Sequence, residues 1–394
     1  MYRVLIIQAE MKQYRVPFFK GLHAALLRDD IELTVVYSNS SRGHSLRGDR
    51  ADLPPSVGKR VRGRWFFDRL LYQAAWKEIA NSDLVIVGPE IKYLINPILL
   101  VMSRLRMKTI AFWGLGPNRF PNRSPLAEMV KRTLFTKVNW WFAYTESVAA
   151  YLRNEGMAPH RITNVQNATD SAELIRLIQE IGEVEAGKAK LALTGAADTR
   201  IGFYCGTMGK IKAIPFLLDT ARLVKLRSPE FHLVLIGDGP ERRSLEKAIA
   251  GDPWIHYLGS KYGRDSALCY KMADVFLLAG TAGLAITDSL AAGLPVLATD
   301  LPTHPPEIEY IVDGQNGRVA PHQVEAFAAS IAEVLSDELL FEKLRKGARE
   351  AAPQYTMEAM VENFRIGIRR CLACDNATEV RGRAGDLTAP RTHN

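Results

Sequence analysis

The chain has 394 residues, 47% hydrophobic and 24% charged, with 20 Pro and 29 Gly; this composition excludes a disordered or collagen-like polypeptide and leaves room for two or three domains of roughly 150 residues. The net charge of +8 is unevenly spread: residues 1–170 hold 25 basic and 14 acidic side chains, hence +11, and the remainder is −3. A basic half suits an anionic partner, and four cysteines in so long a chain exclude a disulfide framework and point to a reducing compartment.

From the amino end, Met1 to Gln8 reads as a first core strand rather than a signal peptide. Short β-branched or aromatic runs then alternate with segments of helical period, the pattern of parallel sheets covered by helices. In the first half, strands are expected at Arg3–Gln8, Ile31–Tyr37, Asp83–Val87, Thr109–Trp113, Trp140–Tyr144 and Ile162–Val165, with a long mobile loop over Ser38–Arg64. Tyr93–Met102 is strongly apolar but shorter than the ~20 residues a bilayer span needs, so a membrane, if met, is met from the side.

The alternation restarts with strands expected at Ile201–Cys205, His232–Ile236, Ile255–Leu258, Val275–Leu278 and Val296–Ala298. The organisation read from this is residues 1–170 as a first doubly wound domain, 171–199 as one helix and a linker, and 200–355 as a second domain. A helix over 356–373, with the option of returning to the first domain, and a disordered tail over 374–394 complete it. Ligands in such α/β sheets sit beyond the carboxyl ends of the strands, which directs attention to the strand-to-helix loops and to a cleft between two facing domains.

Three loops stand out. Gly237-Asp238-Gly239-Pro240 follows one strand, where glycines permit a tight turn and close approach of backbone to a ligand; by itself this is equally a plain turn. Cys205-Gly206-Thr207-Met208-Gly209-Lys210-Ile211-Lys212 pairs glycines with lysines at a helix entrance, a composition suited to a diphosphate, the alternative being a solvated lysine pair. Gly280 to Val296 opens with small residues, carries Asp288 as its one acid and stops at Gly293; that carboxylate could take two ribose hydroxyls or simply cap a turn. Near it, His304 in Pro302–Pro306 reads as a turn histidine.

These loops, followed in order by Pro306-Glu307-Ile308-Glu309-Tyr310 and Asp313-Gly314-Gln315-Asn316-Gly317, resemble the retaining glycosyltransferases of family 4 over about residues 200–330. In the first half the likeness rests on Tyr14–Phe19, Trp113-Gly114-Leu115-Gly116 and Asn167-Ala168-Thr169-Asp170. The resemblance implies the GT-B fold, two Rossmann-like domains facing a central cleft. It implies an active, metal-independent transferase using a nucleotide sugar, UDP- or GDP-linked, as substrate and no separate cofactor. Cytoplasmic synthesis of a cell-surface polysaccharide or glycolipid, at the inner membrane face, would fit.

Carried over by position, the family's phosphate-binding Arg and Lys fall at Thr207 and Lys212, and its two glutamates at Gly280 and Asp288. The resemblance therefore implies donor contacts at Gly206, Thr207, Lys212, Gly237, Asp238 and Gly239. It also implies contacts at Gly259, the backbone of Ala282, Gly283 and Leu284, Asp288 and Glu307, with Lys212 and Asp288 as the chemistry-bearing pair. A cleft histidine the family often has would fall at Leu115. The acceptor is expected on the basic half, at Tyr14, Arg15, Trp113 and Asn118. Lys59 to Leu71 mixes cations with large apolar groups, as an anionic membrane surface would require. The loss of polar groups at Thr207, Gly280 and Leu115 leaves a second reading, a lapsed enzyme that binds nucleotide or glycan as a partner protein; a third, nucleic-acid binding, rests only on the +11 half and lacks a recognisable RNA or DNA module, so no nucleic-acid partner is expected.

Overall fold

The computed structural model describes residues 1–38, 51–90, 92–116 and 136–386. They form two compact units, one made of Met1–Asn167 with the segment from Met357 onward, the other of Ala168–Thr356.

In the first unit, β1 (Tyr2–Ile7), β2 (Ile31–Tyr37), β3 (Gly58–Arg60), β6 (Leu84–Val87), β7 (Thr109–Gly114), β8 (Trp140–Ala143) and β9 (Ile162–Asn164) make one parallel sheet. Its order is β3-β2-β1-β6-β7-β8-β9, so the direction of winding reverses between β1 and β6. β4 (Gly63–Phe66) and β5 (Leu70–Gln73) form a separate antiparallel hairpin. The expectation of a loop over Ser38–Arg64 is corrected at its end: Gly58–Arg60 pairs with β2, anchored by the buried side chains of Leu53 and Val57. Residues 39–50 of that stretch lie outside the described residues.

The last helix, Met357–Asp386, belongs to this unit. Phe364 stacks on Phe142 at 4.8 Å and meets Phe18 and Trp113 edge-on, and Arg365 donates to Asp29 at 2.6 Å. Gly367 allows the approach, because a Cβ there would lie 2.6 Å from the Thr163 hydroxyl. The tail expected to be disordered from 374 is helical to Asp386: no proline interrupts it before Pro390, and a helix already started adds residues at little further cost. Residues 387–394 lie outside the described residues.

The second unit contains β10 (Arg200–Cys205), β11 (Phe231–Ile236), β12 (Ile255–Tyr257), β13 (Val275–Leu278), β14 (Val296–Thr299) and β15 (Gly317–Ala320), ordered β12-β11-β10-β13-β14-β15. All neighbours are parallel. Successive residues feed opposite faces: Tyr204, Leu233 and Leu235 pack with the helices Ile214–Arg227 and Val324–Ser336, whereas Phe203, Val234 and Ile236 pack on the other side against Ala267, Tyr270 and Ile286. The linker expected after the first helix of 171–199 is instead a second helix, Glu183–Thr194. Ala, Lys and Glu are good helix formers, Ala186 is buried, and Gly195 ends the helix in the left-handed region at φ 80°. No helix among the described residues is long and apolar enough to cross a membrane.

Candidate functional site

In the second unit the winding reverses between β10 and β13, and a ligand crevice is expected outside the carboxyl ends of those two strands. The loops that leave them are residues 206–213 and 279–284, and they are bonded together. The Thr281 amide donates to the Ile211 carbonyl at 2.8 Å, and its hydroxyl donates to the same oxygen at 2.9 Å. Lys212 Nζ donates to the Thr281 carbonyl at 2.7 Å and to the Ala282 carbonyl at 3.3 Å. Burial lowers the Lys212 pKa. Among the described residues this partly buried ammonium, held by two carbonyls, has no carboxylate partner, and a charge in such surroundings is costly until it is paired.

Most amides of the Gly206–Gly209 loop are taken up within the protein. The amides of Gly206, Met208 and Gly209 already donate to the carbonyls of Ile236, Asp238 and Thr207. The glycines serve instead to bring two loops together: a Cβ at Gly237, whose φ is 128°, would lie 1.8 Å from the Gly206 oxygen, and one at Gly239 would lie 2.3 Å from the Met208 oxygen. Gly237 in turn donates to the carbonyl of Gly259, where φ is 68°. Asp238 is exposed, its Oδ1 accepting from the Gly239 amide at 2.7 Å.

The amide of Ala282 is also occupied. It donates to Nδ1 of His304 at 2.9 Å, while Nε2 of the same ring lies 2.7 Å from the Thr299 carbonyl and so carries the proton. His304 is a turn histidine, its amide closing on the Leu301 carbonyl at 3.1 Å, and is also a buried neutral imidazole that clamps the 279–284 loop to the end of β14. Thr207, Gly283 and Leu284 keep amides with no protein acceptor among the described residues. Glu307, beyond His304 in a short 3-10 turn, is buried.

Asp288 lies on the helix Ala285–Ala291. Its Oδ1 accepts from Ser171 at 2.6 Å and from Thr169 at 3.0 Å. Burial raises its pKa, the two hydroxyls oppose the shift, and Asp170 adds to it. Among the described residues Lys212 and Asp288 form no ion pair with each other; Lys212 lies in the loop that leaves β10 and Asp288 on the helix that follows the loop leaving β13. Burial pushes the thiol of Cys205, at the end of β10, up to about 12, which disfavours its thiolate.

Sequence reasoning missed His304 as a clamp and Ser171 as a partner of Asp288. The Ser171 contact spans 117 residues, and only the neighbouring Asn167–Asp170 motif hinted at it.

In the first unit, Arg15 follows β1 in a 3-10 turn. Its guanidinium lies 4.5 Å from the Trp113 ring centre, 5.3 Å from that of Tyr14 and 5.7 Å from that of Tyr144, and Nη2 donates to the Tyr144 hydroxyl at 2.9 Å. Trp113 is buried beneath it and is therefore a wall, not an open sugar platform; Phe18 and Phe19 are core. Asn118 lies outside the described residues.

Residues 199–337 match the family model described as glycosyl transferases group 1. Sulfoquinovosyl transferase of Arabidopsis thaliana is 28% identical over 175 residues, 43% of this chain and 33% of that protein. Alpha-monoglucosyldiacylglycerol synthase of Acholeplasma laidlawii is 30% identical over 141 residues, 34% of each. The matches thus span about a third of these relatives. Over 94% of the chain and 100% of its counterpart, the fold agrees with Anabaena HepE crystallised with UDP, at a TM-score of 0.68 and 14% identity. The second unit accordingly carries a segment matched to glycosyl transferases group 1, within a chain that has the GT-B fold.

Proposed function

We propose that the protein transfers a sugar from a nucleotide-sugar donor to a glycan or lipid-linked acceptor with retention of configuration, without a metal, as a member of glycosyltransferase family 4. The observation that carries this reading is Lys212: an ammonium with no carboxylate partner among the described residues, fixed by the Thr281 and Ala282 carbonyls beside the amides of Gly283 and Leu284. A diphosphate leaving group supplies the missing charge, and these donors stabilise it as it departs. The bond from the anomeric carbon to the phosphate oxygen breaks, a bond to the acceptor oxygen forms on the same face, and the acceptor proton passes to the leaving phosphate. Asp288, through the oxygen not engaged by Ser171 and Thr169, accepts from the ribose. Arg15 attracts an anionic group of the acceptor. The lipid product in the name of the Acholeplasma relative favours a lipid-linked acceptor, and with it a reaction at the cytoplasmic face of a membrane.

One observation favours the second reading, a lapsed transferase that only binds nucleotide. At Gly280 the position of the family's first glutamate is closed by main chain, a Cβ there falling 2.3 Å from the Lys212 carbonyl carbon. Thermal-shift titration with UDP-, GDP-, ADP- and dTDP-sugars, followed by transfer or donor hydrolysis with the stabilising one, separates the two. Stabilisation with turnover supports the enzyme, and stabilisation without it the binder; no response to any nucleotide sugar rejects both.

A further inference from the structure

The hairpin β4–β5 and the helix Asn96–Arg104 carry an apolar and basic surface that the donor and acceptor sites do not use. At the hairpin tip Phe67 and Asp68 both have positive φ, 52° and 51°, and the Arg69 amide closes the turn on the Phe66 carbonyl. That is a type I′ turn, where Asn and Gly are favoured and an aromatic residue is strained. Yet Phe67 occupies it and is 91% exposed. Register places Arg64 opposite Tyr72 and Phe66 opposite Leu70, so one face of the hairpin is aromatic, aliphatic and cationic.

The second strand of this hairpin is bonded to the segment that leads into the helix. Leu71 donates to the Lys92 carbonyl and receives the Leu94 amide. On the helix and its cap, Ile98, Val101 and Leu105 recur at spacings of three and four, and are 46%, 56% and 63% exposed. An ordinary surface helix turns such a stripe inward; here Leu99 and Ser103 take the buried side and the apolar stripe faces solvent. Arg104 and Arg106 flank it, exposed like Arg64 and Arg69. Lys59 and Arg60 are paired with Glu78 and Asp52, but these four arginines have no ion pair among the described residues.

We propose that the hairpin and the helix bonded to it through Lys92 and Leu94 dock together on an anionic lipid bilayer, with Phe67 and the Ile98–Val101–Leu105 stripe entering the headgroup boundary and the four arginines meeting lipid phosphates. Exposed aromatic and aliphatic groups accompanied by cations that have no ion pair among the described residues fit an apolar layer with a negative surface, and the +11 balance of residues 1–170 has the matching sign. The inference goes beyond sugar transfer and needs no catalysis, so it stands or falls separately from the proposed reaction.

The full chain is sedimented with vesicles of phosphatidylglycerol and phosphatidylcholine, and with phosphatidylcholine alone, at low ionic strength. The wild type is expected to pellet with the anionic vesicles and to be released by salt. Phe67→Ser, the pair Ile98→Ser with Val101→Ser, and the pair Arg64→Glu with Arg69→Glu should each weaken binding about tenfold or more. Their melting temperatures should be unchanged, since the side chains are exposed. Equal recovery in the supernatant from both vesicle types, or variants that bind as the wild type does, would overturn the proposal. So would concentration-dependent self-association abolished by the same substitutions, which would assign the face to a second copy.

Discussion

Gly280 and Lys212 are packed main chain against main chain: a Cβ added to Gly280 would lie 2.5 Å from the Lys212 Cα. The sugar-facing side chain that the family resemblance led one to look for is therefore sterically barred, and the space it would occupy holds the backbone that presents the lysine. Gly280→Ala should destabilise by about 3 kcal/mol, at the upper end of ordinary overpacking, because backbone rather than a flexible side chain must move. Gly280→Glu should not raise turnover. A Gly280→Glu protein that melts normally and works faster would contradict the packing.

If Lys212 holds the donor diphosphate as proposed, it links binding to instability. Its ammonium is desolvated with no carboxylate partner among the described residues, so Lys212→Met should raise the melting temperature of the ligand-free protein while abolishing stabilisation by a nucleotide sugar. Differential scanning fluorimetry with and without donor reads both effects. Retained donor stabilisation in the variant would remove the lysine from the phosphate site.

Ser171 is expected to tune Asp288. Burial raises the carboxyl pKa and the Ser171 hydroxyl opposes that rise, so Ser171→Ala should raise it further. The ionised form is then lost at a higher pH, and the acid limb of the pH–rate profile should move upward with little change at alkaline pH. An unmoved limb would show that Asp288 is not the group being titrated.

His232 and His256 offer a stability test away from the site. Nδ1 of one lies 2.9 Å from Nε2 of the other, across β11 and β12. Burial first, then the Lys225 charge and the second ring, lower the His232 pKa from 6.5 to about 4, and burial and Lys225 lower that of His256. The folded state thus holds fewer protons than the unfolded one in this window. Their contribution is intact above pH 6.5 and is lost as pH falls toward 4. His256→Gln removes one of the two protonation events and should flatten the fall in melting temperature over that range; an unchanged slope would assign the acid sensitivity elsewhere.

The strand pattern was readable because buried parallel strands are short runs of Val, Ile, Leu and aromatics: Ile31–Tyr37 and Val275–Leu278 coincide with their expected bounds. Gly317–Ala320 escaped because its four residues include Gly and Arg and have no apolar run; its pairing with β14 is what makes it a strand. Glu183–Thr194 was mistaken for linker because Gly187 and the alanines mask its periodicity. At the site, the loops and Lys212 could be found from residue types at strand ends. Which amides remained available could not, since that depends on the acceptors of Gly206, Met208 and Ala282, carbonyls and a ring nitrogen up to 30 residues away.

The helix from Met357 also bears on how the molecule is made. Because Phe364 completes the cluster of Phe18, Phe142 and Trp113, the second unit is topologically an insertion within the first. On the ribosome, residues 1–167 must wait, with that aromatic cluster uncovered, until the whole inserted unit has been synthesised. Expressing the amino-terminal segment by itself would leave the same surface bare. Supplying residues 357–374 in trans, or fusing them directly after Asn167, is the route to an isolated first unit.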